Sequence, residues 1–213
     1  MYFELVPRRS PRKLMRYYCT YFDHKYLPRG LALYHSLRQH SGPFRLWVLC
    51  LSNECHEILA KLALPDLEMI SLNEFEQGDA PLLEAKQNRS FIEYYFTCTP
   101  SLPLFIFKKF AEVDAVSYLD GDLFFFADPE IVHAEIGDHS IAITPHRFPT
   151  RSATASDTAF SMSAGSLFGG TSTRSPACLG GASAAWSGAT IGGSQLDSRT
   201  RSIWTSGRSY SKT

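Results

Sequence analysis

The segment Ser117–Pro129, SYLDGDLFFFADP, carries two aspartates, Asp120 and Asp122, separated by one glycine. On a strand, side chains at i and i+2 point to the same side. Where the strand ends and the chain turns, such carboxylates can share one hard divalent cation through oxygen ligands. A cation held there can in turn hold a diphosphate. An ordinary acidic turn accounts for the same two residues, because Asp-x-Asp also arises by chance. The flanks favour the metal reading. The tyrosine, leucine and phenylalanine run is expected to bury the surroundings, with Phe124, Phe125 and Phe126 in the core, and carboxylates drawn out of water need a partner.

A particular set of elements has to deliver this pair. Tyr17–Phe22 reads as an aromatic strand and Arg29–His40 as a helix, with Leu31, Tyr34, Leu37 and His40 at helical spacing. Phe44–Leu51 is an apolar run of strand length, Glu54–Leu64 is helical, and Leu67–Leu72 is a third strand. Phe91–Thr97 and Leu102–Phe110 read as two helices, and Ala115–Leu119 is the strand that leads into the aspartates. Asp128 then caps a short helix over Pro129–Ile136, with proline at its first position, and Ser140–Thr144 is another strand. Alternation at these intervals predicts an α/β fold, a mostly parallel sheet with helices on both faces.

Composition narrows the function classes. The chain has 213 residues, with 21 Lys+Arg against 21 Asp+Glu and a net charge of zero. No global field favours nucleic acid or an anionic membrane. The cysteines at 19, 50, 55, 98 and 178 are odd in number and lack C-x-x-C spacing. They read as small buried hydrophobes in a reducing, cytoplasmic compartment, not as a disulfide or zinc framework. Arg8, Arg9, Arg12 and Lys13 are not followed by the apolar run of a signal peptide, and no segment reaches membrane-spanning length.

Residues 150–213 differ from the rest. Ala, Gly, Ser, Thr and Arg dominate, and no Glu, His, Val or Asn occurs after residue 150. Such a stretch is expected to bury too little surface to offset its ordering entropy. One reading is a low-complexity tail. A sharper one comes from reading the permitted codons one base earlier. The choices then include R-Y-G-I-F-N-V-G-W-V-S-F-R-R-D over Asp157–Thr171 and F-A-D-Q-K-Y-L-D-K-W-P over Ser198–Arg208, and Trp204 followed by Thr205 must give Asp. These segments are aromatic, charged and periodic, as in a folded domain. A net loss of one base near the codons for Pro149–Ser156 would explain the change. The expected organisation is therefore an extension over 1–16, a domain over 17–149 and an aberrant tail over 150–213. The tail is expected to be protease-sensitive, and loss of the true continuation is expected to expose apolar surface around Phe124–Phe126.

The segments CTYFDHKYLPRGLALYHSL, NRSFIEYYFTCTPSLPL, YLDGDLFFFADP and ITPHRF resemble bacterial nucleotide-sugar glycosyltransferases of the GT-A fold, in particular glycosyltransferase family 8 and its uncharacterised relatives. The resemblance covers Tyr17–Phe148. It implies that Asp120 and Asp122 hold Mn2+ or Mg2+ on the diphosphate of a donor, a UDP-sugar, with Gly121 allowing close backbone approach. It further implies that Thr20–Tyr26 is the nucleotide loop, with Thr20 in it, Asp23 on base or ribose and Tyr26 stacking. Lys86 and Arg89 fall where such enzymes place a donor-contacting base. The family's late histidine ligand has no counterpart, since no histidine follows His146. Retention at the anomeric carbon is implied, while the acceptor stays open.

Each assignment has a plainer rival. Asp23 is read equally as an Asx turn. Lys86 and Arg89 could be a solvated helix start, His146 an ordinary loop residue, and Tyr94, Tyr95 and Trp47 packing groups. Two other functions compete with sugar transfer. One is a truncated remnant that binds nucleotide-sugar without transfer. The other is a phosphohydrolase of the haloacid dehalogenase type, whose Asp-x-Asp normally lies near the N-terminus and is followed by threonine or valine where Phe124 stands here.

Overall fold

The computed structural model describes residues 14–137 and two further strands at 141–143 and 165–169. Strand β1 (Arg16–Phe22) leads into helix α1 (Leu27–His40), followed by β2 (Phe44–Cys50), α2 (Asn53–Leu62) and β3 (Leu67–Ser71). Helices α3 (Leu72–Glu76), α4 (Ala80–Asn88) and α5 (Phe91–Lys109) come next, then β4 (Ala115–Leu119), α6 (Glu130–Ile136), β5 (Ile141–Ile143) and β6 (Gly165–Gly169). The sheet order is β3-β2-β1-β4-β6-β5. The first four strands are parallel, while β6 runs antiparallel to both β4 and β5. The mostly parallel α/β expectation holds.

Alternation along the strands divides the core in two. Cys19, Trp47, Leu49, Val116 and Tyr118 face α5, packing with Cys98, Leu102 and Ile106. Tyr18, Leu46, Val48 and Leu119 face the other way, packing with Leu33, Leu37 and Leu59. Six of the seven β2 residues are buried, as a central parallel strand covered on both faces requires. Side-chain caps set several helix starts. Ser52 accepts from the Cys55 amide and Asp79 from the Leu82 amide, and Ser90 with Glu93 forms a capping box.

Three expectations are corrected. Residues 91–109 form one helix, although Pro100 and Pro103 lie inside it. Proline removes a helical hydrogen bond, but here both rings are buried with Cys98, Leu102 and Ile106, so packing outweighs propensity. Helices α3 and α4, over 72–88, were unforeseen. Phe124 and Phe126 are not core: they are 46% and 84% exposed. The amide of Phe125 donates to Ser36 Oγ of α1 at 3.1 Å. Phe125 packs against the α1-side core, and its neighbours point outward.

Of residues 150–213, only β6 is described, and it pairs with β4 and β5. The rest of that stretch lies outside the described residues, as do residues 1–13, His146 and, apart from β6, the segments read in a second frame. Among the described residues no helix is long and apolar enough to cross a membrane.

Candidate active site

Chain order places the aspartates. From β1 the sheet grows outward through β2 and β3, then returns to β4 on the other side of β1. The C-terminal ends of β1 and β4 flank this reversal, where open α/β sheets bind ligands. Asp120 and Asp122 directly follow β4, and Asp23–Tyr26 follow β1. The register sets Tyr18 beside Ser117 and Cys19 beside Tyr118, so the two loops leave the sheet side by side.

Two tyrosines hold the carboxylates. The Tyr118 hydroxyl donates to Asp120 Oδ1 at 2.9 Å. The Tyr26 hydroxyl donates to Asp122 Oδ2 at 2.7 Å, tying the first loop to the second. Burial pushes the Tyr118 phenol well above its ordinary pKa, and the hydrogen bond to Asp122 raises that of Tyr26. Both phenols are therefore protonated donors at neutral pH. The Asp120 carbonyl accepts from the Leu123 amide at 3.1 Å, closing the turn between the aspartates and the phenylalanines.

The first loop is preformed. Asp23 Oδ1 accepts from the amides of Lys25 at 3.0 Å and Tyr26 at 2.9 Å. This is the Asx turn weighed for Asp23, and it commits that oxygen to the backbone. The Arg29 guanidinium lies 4.5 Å from the Tyr26 ring centroid. Thr20 is fully buried, and its hydroxyl is the one buried side-chain polar atom without a partner among the described residues. A Cβ on Gly121 would lie 3.3 Å from Phe22 Cδ1, 3.5 Å from the Tyr21 carbonyl oxygen and 3.7 Å from Thr20 Oγ1. Glycine is thus favoured between the aspartates by close approach of β1.

Lys86 and Arg89 find partners on the neighbouring helices. Lys86 Nζ donates to both Glu76 oxygens, at 2.7 and 2.8 Å. Glu76 is only 6% exposed and also accepts from the Tyr94 hydroxyl at 2.6 Å. Arg89 Nη1 donates to Thr97 Oγ1 at 2.5 Å. These contacts clip α3, α4 and α5 together. Glu76→Ala leaves the buried Tyr94 hydroxyl without its acceptor and is expected to destabilise by about 1–3 kcal/mol, read as a lower urea midpoint. An unchanged midpoint would remove the clip from the argument.

Sequence reasoning missed Tyr118 and Ser36. The signal for Tyr118 was available, since it stands two residues before Asp120 and so faces the same side. Ser36 lies in mid-helix with no local signal for its role at the aspartate loop.

A divalent cation fits this donor set. Two carboxylates in an oxygen-only environment, completed by substrate phosphates, are typical of Mg2+-type sites. Among the described residues no group of three or more His, Cys, Asp or Glu comes together.

Comparison with known proteins places the fold. No family model matches. The uncharacterized proteins YfnD and YfnF of Bacillus subtilis (strain 168) are 32% identical over 131 residues and 31% identical over 127. The match covers 62% and 60% of this chain, but the chain spans only 42% and 41% of these relatives. Mouse xyloside xylosyltransferase 1 superposes with a TM-score of 0.58 at 14% identity, over 82% of this chain and 74% of that one. The galactosyltransferase LgtC gives 0.50 at 16% identity, over 72% and 57%. The bifunctional glycosyltransferase WbbM gives 0.50 at 16% identity, over 85% and 35%. The chain thus has the fold of the GT-A glycosyltransferases.

Proposed function

We propose that this chain is the donor-binding part of a metal-dependent glycosyltransferase that moves a sugar from a nucleotide-diphosphate donor, a UDP-sugar, to an acceptor. The observation that carries this reading is the junction of the Asp120/Asp122 pair with the Asp23–Tyr26 loop at the sheet's reversal point. Asp120 and Asp122 would hold Mn2+ or Mg2+, and Tyr26 would present its ring to the base. The cation, when bound, acts as a Lewis acid toward the departing diphosphate. The chain's own contribution is a fixed, preorganised set of carboxylates and an Asx-locked loop, which limits reorganisation when charge develops on the leaving group. LgtC, of like fold, was crystallised with donor and acceptor sugar analogues, which supports a two-substrate reading.

Equilibrium dialysis of UDP against the protein tests the reading. Retention is expected with Mn2+ and is expected to fall at least about ten-fold with EDTA. UDP binding indifferent to the metal would sink it. A second reading, a remnant that binds without transferring, is favoured by the composition of residues 150–213. Metal-dependent UDP binding with no sugar released from UDP-sugars would select it. Resequencing the gene across the codons for Phe148–Asp157 decides whether a base has been lost there.

A further inference from the structure

We propose that Tyr118 and Tyr26 are positioning residues for the cation site, and that Tyr26 also couples nucleoside binding to cation binding. The inference rests on the reading of Asp120 and Asp122 as cation ligands.

Each aspartate carries one phenol, and the phenols come from different parts of the fold. Tyr118 is almost fully buried in β4. Its ring lies 5.7 Å from that of Tyr21, whose hydroxyl is 3.0 Å from Thr99 Oγ1 of α5. Asp120 is therefore backed by side chains anchored in the core. Tyr26 is anchored differently. Its amide is bound by Asp23, its ring packs at the edge of the α1-side core and lies against Arg29, and its hydroxyl binds Asp122. Only the last of these touches the carboxylate pair.

The consequence follows from linkage. A cation that fixes the Asp122 carboxylate also fixes the acceptor of the Tyr26 hydroxyl, and with it the tilt of the ring. A base resting on that ring then meets a surface already ordered. Whatever factor the cation adds to base affinity, the base adds to cation affinity. Tyr118 has no such second role. Its hydroxyl holds Asp120, and its ring is inside the core.

Electron paramagnetic resonance of free Mn2+ measures cation affinity in the wild type, Tyr118→Phe and Tyr26→Phe. Each phenylalanine variant is expected to bind Mn2+ about ten-fold more weakly, the usual scale for outer partners of metal ligands. Dialysis of uridine then isolates the coupling, because uridine lacks the diphosphate that would bridge to the cation. In the wild type, saturating Mn2+ is expected to tighten uridine about five-fold. Tyr118→Phe should keep that factor once Mn2+ is raised to saturation, and Tyr26→Phe should lose it. A purely structural role for Tyr26 would weaken uridine equally with and without Mn2+. Undiminished Mn2+ affinity in both variants, or undiminished coupling in Tyr26→Phe, overturns the proposal while leaving the cation site standing. Mn2+ that binds equally to Asp120→Asn overturns the cation site itself. Tyr26 is part-exposed, so its variant carries the test even if Tyr118→Phe does not fold.

Discussion

Asp120→Asn is expected to lower Mn2+ affinity by about 100-fold or more, with little change in stability. The substitution keeps shape and removes one negative charge. Near a protein surface one unit-charge pair at about 4 Å is worth on the order of 4 kcal/mol, close to three decades of binding. Solvent around the part-exposed site reduces that figure. The stability expectation has a separate basis. The amide oxygen of asparagine still accepts from the Tyr118 hydroxyl, which donates to Asp120 Oδ1, so the network in the core is preserved and unfolding should change by no more than about 1 kcal/mol. Mn2+ titration and urea unfolding of the same sample check both halves. A variant that keeps wild-type Mn2+ affinity would mean that the pair is an acidic turn. The same variant separates the two chemistries that use Asp-x-Asp, because a transferase loses metal-dependent donor binding and a phosphatase loses only phosphate release.

Gly30→Ala is expected to destabilise the fold by about 1–2 kcal/mol, against its intrinsic helix propensity. Glycine to alanine inside a helix ordinarily gains about 1 kcal/mol. Here a Cβ at position 30 would lie 2.3 Å from Phe22 Cε1, 2.5 Å from Cζ and 2.7 Å from Cδ1. Phe22 is buried in the α1-side core and cannot swing into solvent. Overpacking costs about 1–3 kcal/mol, and a 2.3 Å approach lies at the upper end of that range, so the clash outweighs the propensity. The same ring is the nearest neighbour of the space beside Gly121. Its displacement should therefore weaken Mn2+ binding as well. The urea midpoint measures the first effect, and a rise in the midpoint would contradict it. Combining Gly30→Ala with Phe22→Ala should cost less than the separate losses added together, because the two side chains compete for one space.

The sheet and the aspartate pair were legible because their signals are local. Dense apolar runs mark β1, β2 and β4, and the Asx-type residue at 23 announces the turn that forms. Helices α3 and α4 had signals too, a serine at 71 and an aspartate at 79 that accept from Glu74 and Leu82. Those signals are weak because each helix is short and its buried face amounts to Phe75 with Glu76, or Leu82 alone. Helix α5 was split by a local rule about proline that tertiary burial overrode. Phe124 and Phe126 were misplaced by composition, since three adjacent aromatics cannot all face one core when the backbone is extended. What no local pattern could supply was the pairing of hydroxyls with carboxylates. Tyr26 meets Asp122 across 96 positions of sequence, and Phe125 meets Ser36 across 89.

Those separations set an order of assembly. In the register, Tyr18 stands beside Leu46 on one side and Ser117 on the other. The first pairing closes a loop holding little more than α1. The second closes one that contains two strands and five helices, and closure entropy and folding time both grow with that span. The Asp23–Tyr26 loop can thus take shape with the early part of the sheet, whereas the aspartates reach it only when β4 pairs with β1. The cation binding proposed for the aspartates would come only with that late closure, and a chain stopped short of it presents half of the proposed site.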